Sequence, residues 1–447
     1  MQFPPRIPLP ADAETDGRAL PLDVDRATSA GPSLPVLAAL ALVAPLAEWL
    51  LLPLLGYPQG FNDFHDYYLA AKLVAEGQSP YNLAALADIA RREGLTFVIG
   101  TGYSYPLPFA VAMLPFTLVP FTPAVLGFTV IGLAVFGASV AIGLRWAFPA
   151  APAERVALAA LVAGAYPPVY GTLANGQANF VVFALLAVGV GLALARRADR
   201  QVSGGVAIGL AAIVKLVPGI VVVPLALGSR WRPAIALIAA VMASSLVASF
   251  VAPWANEGSH GLVALLGPDS YFTNQSLNGF ISRLVRDSDR TLALFPGLFD
   301  PVPVAAAAAC GFALVNATIL LRARPRLGDR RALGVALGLA IVAAAIGAPK
   351  NSFWNQVALL VPVGLLLAAT APNLQLRRVL RSEVVLLAVW LAGSVVQLLL
   401  WVRPPGKDGP LAPAVTLAQS AALYGALALW WLFARRVWRG SGEAPGG

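Results

Sequence analysis

Cysteine, histidine and charge are all scarce in this sequence. Cys310 is the one cysteine among 447 residues, which excludes a disulfide framework and a thiolate metal centre. Only two histidines are present, His65 and His260, and no Ser-His-acid set assembles from them. Charged residues make up 12%, about half the usual share of a soluble domain. Neither a phosphate-cradling P-loop nor a glycine-rich dinucleotide fingerprint occurs, which argues against a soluble nucleotide-sugar or ATP domain. What fills the chain is apolar: 58% hydrophobic residues and a mean hydropathy of +0.74. That composition identifies an all-α polytopic membrane protein.

The net charge of +9 does not point to nucleic acid, because the arginines sit between apolar runs in the manner of topology signals. Residues 1–33, with Pro4, Pro5, Pro8 and Pro10, read as a flexible cytoplasmic tail, and 435–447 as a second one. No secretory signal peptide precedes the first apolar run. Between the tails lies a single multi-spanning domain, 34–434, with about 10–12 transmembrane helices at roughly 20 apolar residues each. Candidate spans fall near 34–55, 123–144, 156–173, 179–195, 231–252, 302–321, 332–348, 357–371, 384–402 and 413–434. Basic clusters follow them: Arg145 with Arg155, Arg196-Arg197 with Arg200, Arg230 with Arg232, Arg322 to Arg331, Arg377-Arg378 with Arg381, and Arg435-Arg436 with Arg439. Placing them all in the cytoplasm satisfies the positive-inside rule. The proline-broken stretch 105–121 is then a re-entrant or surface-lying piece. The stretch 203–228, with arginines at both ends, becomes two half-helices bent at Pro218.

With this orientation the polar residues that solubility does not explain gather on the outer face. They lie in loops at about 56–104 and 254–300 and in two short turns. The first loop, with short amphipathic helices expected at 66–77 and 83–93, opens with Phe61-Asn-Asp-Phe-His-Asp-Tyr-Tyr68. Asp63 there suits a general base for a sugar hydroxyl, or else caps a helix beginning near Asp66. Asp66 is that cap itself, or a like charge that tunes Asp63. A divalent ion on Asp63, His65 and Asp66 would call for a further acidic cluster. In Asn175-Gly-Gln-Ala-Asn179, Asn175 and Gly176 are turn residues. Gln177 and Asn179 place amides where apolar residues would be cheaper, and amides bind sugar hydroxyls or phosphate oxygens. Lys215, too far from the cytoplasmic arginines to snorkel, suits a phosphate in a wet cavity or an internal salt bridge. Tyr271-Phe-Thr-Asn-Gln-Ser-Leu-Asn-Gly-Phe-Ile-Ser-Arg283 is rich in hydrogen-bonding groups. Arg283 is a bidentate phosphate ligand unless the run is a partly buried helix with ordinary caps. His260 reads as solvated. Lys350, Trp354 and Asn355 place a cation, an aromatic face and an amide at another helix start.

Taken in order, Asp63-Phe-x-x-Tyr67-Tyr68-x-Ala70-Ala71, Gly77-x-x-Pro80-Tyr81 and Tyr105-Pro106 resemble the opening of glycosyltransferase family 87. So do Asn175-Gly-Gln-x-Asn179, Lys215-x-x-Pro218 and Asn274-Gln275-Ser276. The resemblance covers roughly residues 40 to 402. It implies a GT-C-type fold, a polyprenyl-phosphate-linked sugar donor, mannose or a related pentose, and a lipid or glycan acceptor. It also implies chemistry on the non-cytoplasmic face of the plasma membrane, with Asp63 as the base. Members often carry a histidine after the late tryptophan, whereas Asn355 follows Trp354 here.

The resulting expectation is an inverting mannosyl transfer with Asp63 catalytic and no metal or cofactor. The donor phosphate rests on Lys215 with Arg283 or Lys350. Asp66, Tyr67, Tyr68, Tyr81, Asn175, Gln177, Asn179, Asn274, Gln275, Ser276 and Asn355 complete the substrate site. An arabinofuranosyltransferase and a lipid-linked-sugar flippase, for which broken helices and an intramembrane lysine are also expected, stand as alternatives.

Overall fold

A computed structural model describes residues 32–55, 60–95, 102–258, 266–375, 379, 381–403 and 411–439. The N-terminal prolines, His260, Arg377 and Arg378 lie outside the described residues. No strand occurs within them; a lone antiparallel bridge pairs Asn274 with Ser352.

The chain opens with α1 (Leu34–Leu51), α2 (Asn62–Ala75), α3 (Leu83–Arg92) and α4 (Leu107–Ala112), the last followed by a 3-10 turn at Leu114–Leu118. Then come α5 (Phe121–Ala147), α6 (Ala153–Gly164), α7 (Pro167–Ala174), α8 (Asn179–Ala193) and α9 (Ala198–Val214). A 3-10 turn at Val217–Val221 leads into α10 (Val222–Leu227), α11 (Trp231–Val251), α12 (Leu277–Val285), α13 (Pro301–Ala323) and α14 (Arg330–Gly347). A further 3-10 turn, Phe353–Leu359, runs into α15 (Leu360–Thr370), and α16 (Arg381–Val402), α17 (Ala412–Ala418) and α18 (Ala421–Arg439) close the fold.

Seven described helices are long and apolar enough to cross a membrane, and up to nine if two bent pairs each count as one span. One bent pair is α6 with α7, at 47°. Its cause is Pro167, which holds Tyr166 in extended backbone (ψ 120°) and so ends the preceding helix. The higher count expected from sequence included α8, whose 15 residues reach only about 22 Å. The 105–121 stretch is α4 plus a 3-10 turn, too short to cross. The 203–228 stretch differs from two short half-helices bent at Pro218. A 17-residue α9 ends at Val214 and Lys215 leaves it in extended backbone (φ −142°). Pro218 explains the position, because its ring clashes with the carbonyl four residues back, that of Val214.

Helix α9 packs between α8 and α11. Gly204 makes the first contact possible, since a Cβ there would lie 2.6 Å from the Gly189 carbonyl oxygen. The shared core includes Phe136, Phe180, Phe183 and Ile208. A separate aromatic cluster under α2 sets Phe64 against Phe121 and Phe128 at 5.6 and 5.1 Å.

The bundle has two chemically distinct ends. At one, arginines hold helix termini together: Arg330 Nε donates to the Leu194 carbonyl at 2.7 Å, and Arg326 Nη2 to those of Val437 and Trp438 at 3.1 Å each. Arg155 reaches the Asn373 carbonyl at the same end (3.2 Å). Helix α8 runs to this end from Asn179, and α14 runs back from it toward Lys350. The opposite end carries the polar turns.

Candidate active site

The α7–α8 turn is the platform. Gly176 adopts φ +64°, and a Cβ there would lie 2.9 Å from that of Phe64, so both backbone and space demand glycine. The Asn175 side chain closes the turn by donating to the Gly171 carbonyl at 2.8 Å. The turn then anchors α2: Phe61 N–H donates to the Ala174 carbonyl and Asp63 N–H to that of Asn175, both at 3.1 Å. Phe61 sits at φ +45° to make this docking, a left-handed conformation costly for an aromatic residue.

Helix α2 therefore starts at Asn62, four residues earlier than expected, and Asp66 is not its cap. Asp63 lies in the first helical turn, where the N-terminal dipole favours a carboxylate. Asp66 follows three residues later on the same face, and both open onto one cavity. Burial lifts the Asp66 carboxyl well above the ordinary carboxylate range, the neighbouring Asp63 charge adds to this, and Lys350 opposes it. Asp66 Oδ1 has no hydrogen-bond partner among the described residues. Burial raises Asp63 too, but Lys215, a hydrogen bond with Gln177 and Lys350 all pull against it. Of the pair, Asp66 is lifted further, and Asp63 alone has Lys215 and Gln177 to oppose the effect of burial.

Gln177 stands between Asp63 and Lys215. Its Oε1 accepts from Lys215 Nζ at 2.9 Å and from the Tyr67 hydroxyl at 2.9 Å. Tyr67 shares a further 3.0 Å hydrogen bond with the Tyr105 hydroxyl, and Tyr81 steadies Tyr105 by donating to its carbonyl at 3.0 Å. Lys215 also donates to Asn355 Oδ1 at 2.6 Å. An ammonium has three N–H groups, so one remains for a ligand. Asn179 clamps the far wall, donating to the Trp354 carbonyl at 3.0 Å. Lys350 reaches the cavity from the other side, with Nζ 3.5 Å from Asp269 Oδ2.

The cavity holds about 340 Å³, the size of a small-molecule site. Asp63, Asp66, Tyr105, Gln177, Lys215 and Lys350 form its polar part, and Val182, Leu186, Val214, Ile341, Val357 and Leu359 form an apolar wall. Charge, hydrogen-bond donors and a lipid-like surface thus meet in one space.

Several expected residues stand elsewhere. Arg283 does not line the cavity. It is 1% exposed, and it donates to the Tyr271 and Asn274 carbonyls at 3.0 and 2.8 Å and to Ser420 Oγ at 2.7 Å. Its guanidinium fastens the second loop, so Lys350 is the second cation at the cavity. Asn274 Oδ1 accepts from Asn351 N–H at 3.0 Å, and Gln275 N–H donates to the Asn351 carbonyl at 2.7 Å. Ser276 caps α12 through Gly279 N–H at 3.1 Å. These three brace the 349–352 turn from behind. Tyr68 donates to the Val119 carbonyl at 3.0 Å, outside the cavity. His65 stacks on Phe121 at 4.3 Å and bonds the Phe61 carbonyl through Nδ1 at 3.1 Å, so it cannot join the two aspartates around a cation. No group of three or more metal-ligating side chains occurs among the described residues. Sequence reasoning passed over Ser104, Asn351 and Ser352, which line the cavity, and gave Tyr105 no role although Tyr105-Pro106 stood in the motif.

A sequence model of glycosyltransferase family 87 matches residues 103–349. The match takes in Tyr105, Gln177, Asn179 and Lys215, with Asp63 before it and Lys350 and Asn355 after it. No curated protein and no solved structure matches this chain.

Proposed function

The chain belongs to glycosyltransferase family 87 and is accordingly a membrane glycosyltransferase; on that premise we propose that it moves mannose from a polyprenyl-phosphate donor to a lipid or glycan acceptor. The face is the non-cytoplasmic side of the plasma membrane, the architecture is GT-C-type, and the reaction inverts the anomeric centre. One observation carries the reading. Asp63 and Lys215 share a single cavity, with Gln177 between them and an apolar wall beside them.

In this mechanism Asp63 takes the proton of the acceptor hydroxyl, whose oxygen attacks the anomeric carbon. The bond from that carbon to the phosphate oxygen breaks, and its electron pair leaves with polyprenyl phosphate. Negative charge grows on the phosphate, and a fixed cation stabilises it. The free N–H of Lys215 supplies that contact, and Lys350 exchanges Asp269 for the phosphate. The isoprenoid tail lies along Val182, Leu186, Val357 and Leu359. Asp66, protonated, donates a hydrogen bond to the sugar.

Asn355 fits this scheme for a specific reason. Its carbonyl oxygen accepts from Lys215, which a protonated histidine, a donor at both nitrogens, cannot do. Charge assistance to the leaving phosphate therefore falls on the lysines.

The test uses purified protein in nanodiscs with polyprenyl-phosphate-mannose or, separately, polyprenyl-phosphate-arabinose, plus lipid extracts as acceptors. Release of polyprenyl phosphate from the mannose donor supports the reading. Release from the arabinose donor alone replaces the sugar, and release from neither donor overturns the reading.

A further inference from the structure

A second cavity lies at the arginine-rich end, between the C-termini of α13, α15 and α18 and the first turns of α14. It holds about 80 Å³. A water's share of the liquid is roughly 30 Å³, so the space suits a tetrahedral oxyanion. Arg326, Arg331 and Arg436 line it above an apolar floor of Val335, Leu366 and Ala369.

No carboxylate lines this cavity among the described residues. Glu383, 1% exposed, stands behind Arg436 and accepts from its Nε at 2.5 Å. Among the described residues, Glu383 is the one carboxylate in an ion pair with any of the three guanidinium groups. Arg326 commits Nη2 to the two carbonyls at the end of α18. Its Nε and Nη1, and the whole guanidinium of Arg331, make no hydrogen bond to the described residues. At the N-terminus of α14 the Arg331 and Ala332 N–H groups are committed to Asp329 at 2.9 Å each.

Depth in the membrane follows from two features. Helix α14, with 18 residues, spans about 27 Å, so Arg331 and Lys350 are separated by about one hydrocarbon thickness. Beside the cavity, Arg322 stacks on Trp438 at 4.1 Å, and Trp438 is 43% exposed. An exposed tryptophan at a helix end marks the headgroup level. A cluster of like charges around an open cavity repels itself unless an anion enters, and guanidinium forks match phosphate oxygens. Basic pockets between membrane helices are known to take anionic headgroups.

We propose that Arg326, Arg331 and Arg436 form a binding site for the phosphate of an anionic phospholipid in the leaflet at this face. The site is separate from the catalytic cavity and independent of the donor assignment. A bound headgroup bridges α13, α14 and α18 and braces the end of the bundle opposite the chemistry.

The test is thermal unfolding of the full chain in detergent against phosphatidylglycerol, phosphatidylcholine or inorganic phosphate, with native mass spectrometry to count retained lipid. Arg331→Gln is the informative variant, since it removes no hydrogen bond of that side chain to the described residues. Arg324→Gln, an exposed arginine outside the cavity, is the control. Phosphatidylglycerol stabilises wild type and Arg324→Gln alike, and Arg331→Gln needs about fivefold more lipid for half the effect. Phosphatidylcholine gives no Arg331-dependent shift. An Arg331-dependent shift with inorganic phosphate and none with phosphatidylglycerol keeps the oxyanion site but removes the lipid as its occupant. An equal response of wild type and Arg331→Gln to every addition overturns the proposal.

Discussion

The first and second large loops are both dense in polar side chains, yet the structure puts their described residues to different uses. In the second loop the prominent groups bond their own loop and its neighbours, although Arg283 Nε has no hydrogen-bond partner among the described residues. Arg283 donates to two carbonyls and a hydroxyl, and Gln275 fills both ends of its amide on Phe272, Gln419 and Leu423. In the first loop and the turns it meets, satisfaction is incomplete. Asp66 Oδ1 has no partner among the described residues, and Lys215 holds one N–H in reserve. Buried polar groups without partners cost stability. Arg283 Nε leaves such a gap inside the second loop, whereas the gap at Asp66 opens onto the cavity that Lys215 also lines. Polar density marks both loops; an unfilled group that a ligand in the cavity can reach marks the site.

Substitutions sharpen this contrast. Asp63→Asn keeps the shape and removes the base. Turnover falls by about 10²–10⁴-fold, while donor binding and unfolding temperature hold, as assayed by polyprenyl phosphate release alongside donor titration. Arg283→Met gives the reverse pattern. Thermal unfolding drops steeply, by on the order of 3 kcal/mol for three orphaned acceptors, and the folded fraction keeps its rate per molecule. Gln177→Leu loosens both Asp63 and Lys215 and lowers kcat by roughly tenfold with a smaller change in KM. A change in KM alone would break the picture of Gln177 as the tie between them.

Lys350 and Asp269 offer a finer test. Lys350→Ala raises the donor KM several-fold, and Asp269→Asn, which frees Lys350, lowers it. Asp66→Asn has the smallest effect on rate, within a few-fold at neutral pH, because burial lifts the carboxyl well above its ordinary range and the amide can still donate a hydrogen bond. Its signature is in stability. A carboxyl raised on folding binds its proton more tightly in the native state, so wild type gains stability as pH falls from neutral toward about 4, the unfolded value. The gain ends below that value, and Asp66→Asn lacks this component. Melting curves across that range measure it.

Much of the fold was legible because hydrophobic length and arginine placement are strong, local signals. The expected spans at 123–144, 231–252 and 384–402 match α5, α11 and α16. Proline chemistry was legible in kind but misplaced in position. The break in 203–228 falls at Lys215 because a proline ring acts on the carbonyl four residues upstream. The start of α2 could not be read locally, since Phe61 and Asp63 are held by carbonyls of Ala174 and Asn175, more than a hundred residues away in sequence. For the same reason Arg283 and Lys350 looked equivalent as phosphate ligands. Their contacts separate them: Arg283 bonds Tyr271, Asn274 and Ser420, while Lys350 lines the cavity.

A structure of the chain with polyprenyl phosphate bound would test the central claim most directly. The account predicts a phosphate oxygen within about 3 Å of Lys215 Nζ, Lys350 drawn off Asp269, and Arg283 unchanged. Phosphate seated on Arg283, with Lys215 still bonded only to Gln177 and Asn355, would contradict it.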